Sequence, residues 1–251
     1  MPTPFTHLRF AEEILDLAGL PQAAHEALGA EKPAFLLGCV APDAQTVSGQ
    51  PREATHFFYV PLRDSVPAVR HLFDAYPALA RAEERPRAQA AFLAGYLTHL
   101  ALDEFWVRDV FEPIFGSRAH WGTFIERLYL HNALRSHLDA SDRKRLPAST
   151  AAALSSARPH NLCPFISDET LLHWRDLIAE QLSPGQAGRT VEVFAERMGA
   201  DPHAFAALLA SPEEMRRRVF SRLPDGLLEQ FYREGLRLCE TVLQRYWTAA
   251  L

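Results

Sequence analysis

The sequence has no long uninterrupted hydrophobic run. Its most apolar window, residues 88–102, is broken by Gln89, Thr98 and His99, so no segment reads as a membrane span. The start, Met1-Pro-Thr-Pro-Phe-Thr-His7, lacks a basic stretch followed by an apolar one, which excludes a readable secretory signal and gives the expectation of a cytoplasmic protein. Cysteine is scarce: Cys39, Cys163 and Cys239 stand far apart, fit a reducing compartment and form no metal-type pair. Positive charge is not in excess, with 26 Lys and Arg against 31 Asp and Glu, so there is no nucleic-acid footprint built on bulk charge. Alternating Val- and Ile-rich runs are almost missing, which argues against a sheet. No membrane-docking face stands out either.

What remains is helical. The 251 residues are 48% hydrophobic and 23% charged, ordinary globular values at a length ample for a buried core. The spacing of Phe10, Ile14 and Leu17 predicts a first helix from about Pro4 to Gly19, and a second runs from Pro21 to Leu28. Residues 35–40 read as a short apolar turn or helix stopped by Pro42, and residues 43–61 as irregular chain. Ser65–Tyr76 has Val66, Val69, Leu72 and Phe73 at inward spacing. The strongest pattern runs from Pro86 to about Phe111, followed by His120–Leu138 with Phe124, Leu128, Leu134 and Leu138 on one stripe. Further helices are expected at Asp168–Leu182, Thr190–Met198, Pro202–Leu209, Pro212–Phe220 and Leu223–Tyr246. The expectation is one all-α domain over residues 1–251, its functional core in 1–140 and a helical scaffold or lid in 141–251. The basic run Arg216-Arg217-Arg218 reads as a solvated face balanced by Glu213 and Glu214.

The chemistry-bearing residues cluster early. His99-Leu-Ala-Leu-Asp103 puts an imidazole and a carboxylate one helical turn apart on one face, where both can hold one ion. His7 opens the first helix. Asp43 follows Ala41-Pro42, whose proline fixes the local direction, and His56 sits between Thr55 and Phe57-Phe58. Each alone also suits a hydrogen-bonded core histidine or a capping aspartate. Together in the first 103 residues, His7, Asp43, His56, His99 and Asp103 make a metal site the better reading.

This order, His7, then Ala-Pro-Asp43, then Thr-His56-Phe, then Gly95-Tyr-Leu-Thr-His99-Leu-Ala-Leu-Asp103, resembles the zinc-dependent phospholipase C family, which is similar in fold to single-strand-specific zinc nucleases. The resemblance spans about residues 5–140. It implies a multi-helix bundle around a zinc cluster that hydrolyses phosphodiesters. By position, Asp43, His56, His99 and Asp103 would hold one zinc; His7 and Asp103 would share in another, completed by the backbone of the N-terminal residue. Two departures stand out. The family's further His after the aspartate falls in Glu104-Phe-Trp-Val107-Arg108, and its later His-x-x-x-Glu is matched by His131-Asn-Ala-Leu-Arg135. Arginine cannot ligate a metal. One or two zinc ions are therefore expected rather than three, with Arg135 standing in for one ion as a phosphate-binding fork. His120 and Glu126 are candidate replacement ligands, although a spacing of six does not share a helical face, and His131 is a candidate residual ligand. Asp43 is the candidate general base, or a ligand that also orients the attacking water, with a helix cap as the competing role. The expected activity is metal-dependent hydrolysis of a small-molecule phosphoester. The same donors also suit iron or manganese and oxygen chemistry, and a non-catalytic helical protein with a degenerate site is the third reading.

Overall fold

Helix α1 (Pro4–Leu15) starts on Pro4, whose missing N–H costs nothing in a first turn. The cap at this end is remote in sequence: the Phe5 amide donates to Asp139 Oδ1 at 3.3 Å. These are the coordinates of a computed structural model, which describes residues 1–183, 199 and 201–250. Helix α2 (Gln22–Ala30) leads into α3 (Lys32–Val40), which tightens into a 3-10 turn at Ala41–Ala44. Two single turns follow, α4 (Gln45–Ser48) and α5 (Glu53–His56), then α6 (Ala68–Ala75). The central element is α7 (Arg87–Trp106), continued by nine residues of wider π-type turns, Val107–Phe115. Next come α8 (Phe124–Arg143), α9 (Thr150–Ser155), α10 (Asp168–Leu182), α11 (Pro202–Ala210), α12 (Pro212–Arg218) and α13 (Leu227–Trp247). No strand occurs among the described residues.

Every residue from Ala90 to Asp103 is buried, as expected of a helix surrounded on all sides. Its main neighbour is α3, and glycines set the approach. A methyl group on Gly95 would lie 2.3 Å from the Phe35 carbonyl oxygen and 2.7 Å from the Cys39 amide; one on Gly38 would lie 2.0 Å from the Phe92 carbonyl oxygen. The two backbones touch where both lack a side chain. From the other side Gly235 of α13 admits Leu102 and Phe10.

Helix α8 is tied to α1 by the buried Asp142 carboxylate. It accepts from Thr6 Oγ1 at 2.8 Å, Arg9 at 2.8 Å and Tyr232 of α13 at 2.6 Å. Three donors compensate a charge that burial alone would make costly.

The helical expectations hold in kind, with shifted ends. α1 stops at Leu15, and the Leu17 amide already makes a tighter bond to Ile14. Val66 is 39% exposed rather than inward, because Pro67 caps α6 and leaves Val66 outside it. α8 begins at Phe124, since Thr123 caps it by accepting from the Glu126 amide, and Phe124 is 52% exposed rather than on the buried stripe. Residues 43–61 are less irregular than expected, holding α4 and α5. The helix expected at Thr190–Met198 lies outside the described residues.

Candidate metal centre

Four separate segments deliver five side chains to one place. His7 lies in the first turn of α1, Asp43 in the 3-10 turn after α3, His56 at the end of α5, and His99 and Asp103 one turn apart on α7. His7, His56, His99 and Asp103 are at most 1% exposed, whereas the Asp43 side chain is 23% exposed. Asp43 is thus the member on the solvent side.

Asp103 is at the middle. Its Oδ1 is 3.3 Å from His7 Nε2; its Oδ2 is 3.4 Å from His56 Nε2 and 3.8 Å from His99 Nε2. His56 Nε2 is also 3.4 Å from Asp43 Oδ1 and 3.4 Å from His99 Nε2. The His7 and His99 rings stack at 3.8 Å.

Hydrogen bonds behind the cluster orient the rings. His99 Nδ1 lies 2.8 Å from the Cys39 carbonyl oxygen, so it carries the proton and leaves Nε2 as a lone pair facing the cluster. The α3–α7 glycine contact places that carbonyl. His56 Nδ1 lies 3.3 Å from the Arg52 carbonyl and 3.1 Å from Thr55 Oγ1. The turn bearing His56 is anchored in turn by Tyr96, whose hydroxyl donates to the Thr55 carbonyl.

The donor set fits a metal ion. His7 Nε2 and Asp103 Oδ1 face each other without hydrogen-bond geometry, and both, with His7 Nδ1, are buried without a hydrogen-bond partner. Buried polar atoms are seldom left so. Two ligand groups can be drawn, His7 with His99 and Asp103, and Asp43 with His56 and His99, the donor atoms of each lying within 4.8 Å of one another. His99 has one free nitrogen and can serve only one of them.

Electrostatics put the carboxylates in the ligating form. Burial pushes Asp103 up, but His99, His56, His7 and Arg52 outweigh it and hold the carboxyl well below its ordinary value. Burial likewise raises Asp43, and the His56 hydrogen bond with the His99 charge brings it below the usual range. His99 is pushed down to about 3 by burial and by His7, against the pull of both carboxylates, so it is neutral near pH 7. Burial lifts the Cys39 thiol to about 12, so it is its carbonyl rather than its sulfur that serves the centre.

Arg52 was not legible as a site residue. Its guanidinium donates to Asp103 Oδ2 at 2.7 Å and lies 4.5 Å above the Phe58 ring. The available signal was its place four residues before His56, which shares a face once that stretch is helical.

The candidates outside the five fare differently. His120 and Glu126 are exposed and belong to neither ligand group. His131 is buried; its Nε2 accepts from the Trp106 indole at 2.9 Å and its Nδ1 has no partner. Val107 is fully buried and apolar. Arg135, one turn beyond His131, donates to Asn132 Oδ1 at 3.1 Å. The Met1 amino group is buried and pushed well below its ordinary value by that burial and by Arg135, while Asp103 and Asp43 oppose the shift. Arg135 and the cluster therefore act on the same buried group.

A sequence model described as zinc dependent phospholipase C matches residues 6–164. Searches of curated proteins and of solved structures return no match. The matched span covers well over half of the chain and contains all five converging side chains, so the protein belongs to the zinc-dependent phospholipase C family.

Proposed function

We propose that the chain is a metal-dependent hydrolase of a phosphoester, with His7, Asp43, His56, His99 and Asp103 as its metal ligands. The observation that carries this reading is the convergence of five buried or half-buried side chains, Asp103 at their middle, with His7 Nε2 and Asp103 Oδ1 otherwise unsatisfied. His99 Nε2 belongs with His56 and Asp43, to whose atoms it lies near, leaving His7 and Asp103 Oδ1 for a second ion. Zinc, when bound, supplies Lewis acidity toward water and phosphoryl oxygen. Asp43, ionised and the most exposed of the five, would orient an attacking water or take its proton. Arg52 holds Asp103 in position. Arg135 offers a planar fork of donors to phosphate oxygens where the family has a carboxylate ligand. With an arginine at that place and Val107 apolar, one or two ions are expected.

The test is hydrolysis of a chromogenic phosphodiester and of its monoester by zinc-loaded protein. Turnover is expected on at least one of them, abolished by chelation and restored by zinc. Arg135→Ala should weaken substrate affinity or turnover about tenfold or more, the effect of losing a charge-assisted pair. Full activity in chelator would overturn the proposal, and an unaffected Arg135→Ala would remove Arg135 from it.

A further inference from the structure

Phe124 and Ile125 open α8 and are 52% and 79% exposed, the highest values among exposed large hydrophobic side chains in the described residues. Half-buried Trp121 precedes them, its indole donating to the Ile114 carbonyl at 2.8 Å. Arginines gather on these rings. The Arg222 guanidinium lies 4.6 Å over Trp121, Arg127 lies 5.8 Å over Phe124, and Arg218, from the basic run, lies 5.9 Å over Tyr129. Arg118, in the loop before α8, donates to the Arg108 carbonyl.

None of these four arginines pairs with a carboxylate among the described residues. Arg127 instead donates to the carbonyls of Phe115, Trp121 and Gly122. Elsewhere Arg9, Arg70 and Arg237 face carboxylates within 3.1 Å. Glu126 is the sole acidic residue between positions 113 and 138. In a chain of net charge −5, arginines outside any ion pair among the described residues thus stand on Trp121, Phe124 and Tyr129, beside the exposed Ile125.

We propose that this tip docks on the surface of an anionic phospholipid bilayer. Phe124 and Ile125 enter the interfacial region while Arg118, Arg127, Arg218 and Arg222 meet lipid phosphates. Charge selects this occupant. A second copy of the chain seated on the same patch would set arginine against arginine. A bilayer supplies phosphates at high density and accepts single apolar side chains with aromatics at the headgroup level. Helix α8 carries both the tip and Arg135, roughly 16 Å apart along its axis, so the docking surface and the proposed phosphate-binding arginine share one rod. Docking needs neither metal nor turnover and stands apart from the proposed hydrolysis.

The experiment is co-sedimentation of the full chain, in chelator, with vesicles of phosphatidylglycerol and phosphatidylcholine or of phosphatidylcholine alone. Binding is expected only with the anionic vesicles and should weaken as salt rises. Phe124→Ser/Ile125→Ser should lower affinity about tenfold or more, from the apolar area lost. Arg222→Gln should lower it roughly fivefold, the share of one cation near a charged surface. Both variants should melt like the parent, because the substituted side chains are exposed. No sedimentation of the parent, or unchanged binding in both variants, overturns the proposal. So does a gel-filtration shift in the double variant without vesicle binding, which would make the tip a protein contact.

Discussion

Asp103 is buried, bonded to Arg52 through one oxygen and faced by His7 at the other. Asp103→Asn keeps the shape and removes the charge, and should lower bound zinc by at least one ion per chain, read by elemental mass spectrometry. Arg52→Met removes the one fixed cation on that carboxylate. In metal-free protein it should cost about 2 kcal/mol, below the usual value for a broken buried pair because the guanidinium is partly solvated. With zinc bound the loss should shrink, since the ion then balances Asp103; equal losses in thermal melts with and without zinc would show that Arg52 does not share its partner with the metal. Arg135→Glu puts a carboxylate one turn after His131 in place of the proposed phosphate fork, and should raise the zinc content. His99 and Asp103 were readable because a helix turns their spacing of four into a shared face. Arg52 and His56 have the same spacing, but Gly49 and Pro51 hid the single turn that makes it count.

At the scale of elements, the geometry of the centre rests on the crossing of α3 and α7. Gly95→Ala would press a methyl into the α3 backbone, so the helices must part, at about 3 kcal/mol. The Cys39 carbonyl would move off His99, and zinc affinity should fall with stability. Gly29→Ala in α2 is the control: nothing lies within 4 Å of the added methyl, and stability should rise by roughly 0.5–1 kcal/mol from helix propensity. If both variants melt alike, the close approach does not support the fold as described. The helices were legible because their periodicity is local. The crossing was not, since a glycine inside a helix pattern does not tell which backbone it admits. Phe124 shows the opposite error: its spacing fitted the inward stripe, but the first turn of α8 projects beyond the core.

Over the whole molecule, the later helices brace the site-bearing ones. Trp174 of α10 donates to the Val40 carbonyl at 2.8 Å, just before the turn that carries Asp43, and Tyr232 of α13 reaches Asp142 beneath α1. Because the centre draws on α1, α5, α7 and the turn after α3, ions bound there would together link four segments, and chelation should lower the melting temperature of the whole chain. The most direct measurement is elemental mass spectrometry of protein purified without added metal, expressed per chain, for the parent and for His99→Ala. One or two zinc ions in the parent, reduced in the variant, is the predicted result. No metal in the parent, with a melting temperature indifferent to zinc, manganese and iron, would contradict a metal centre at Asp103.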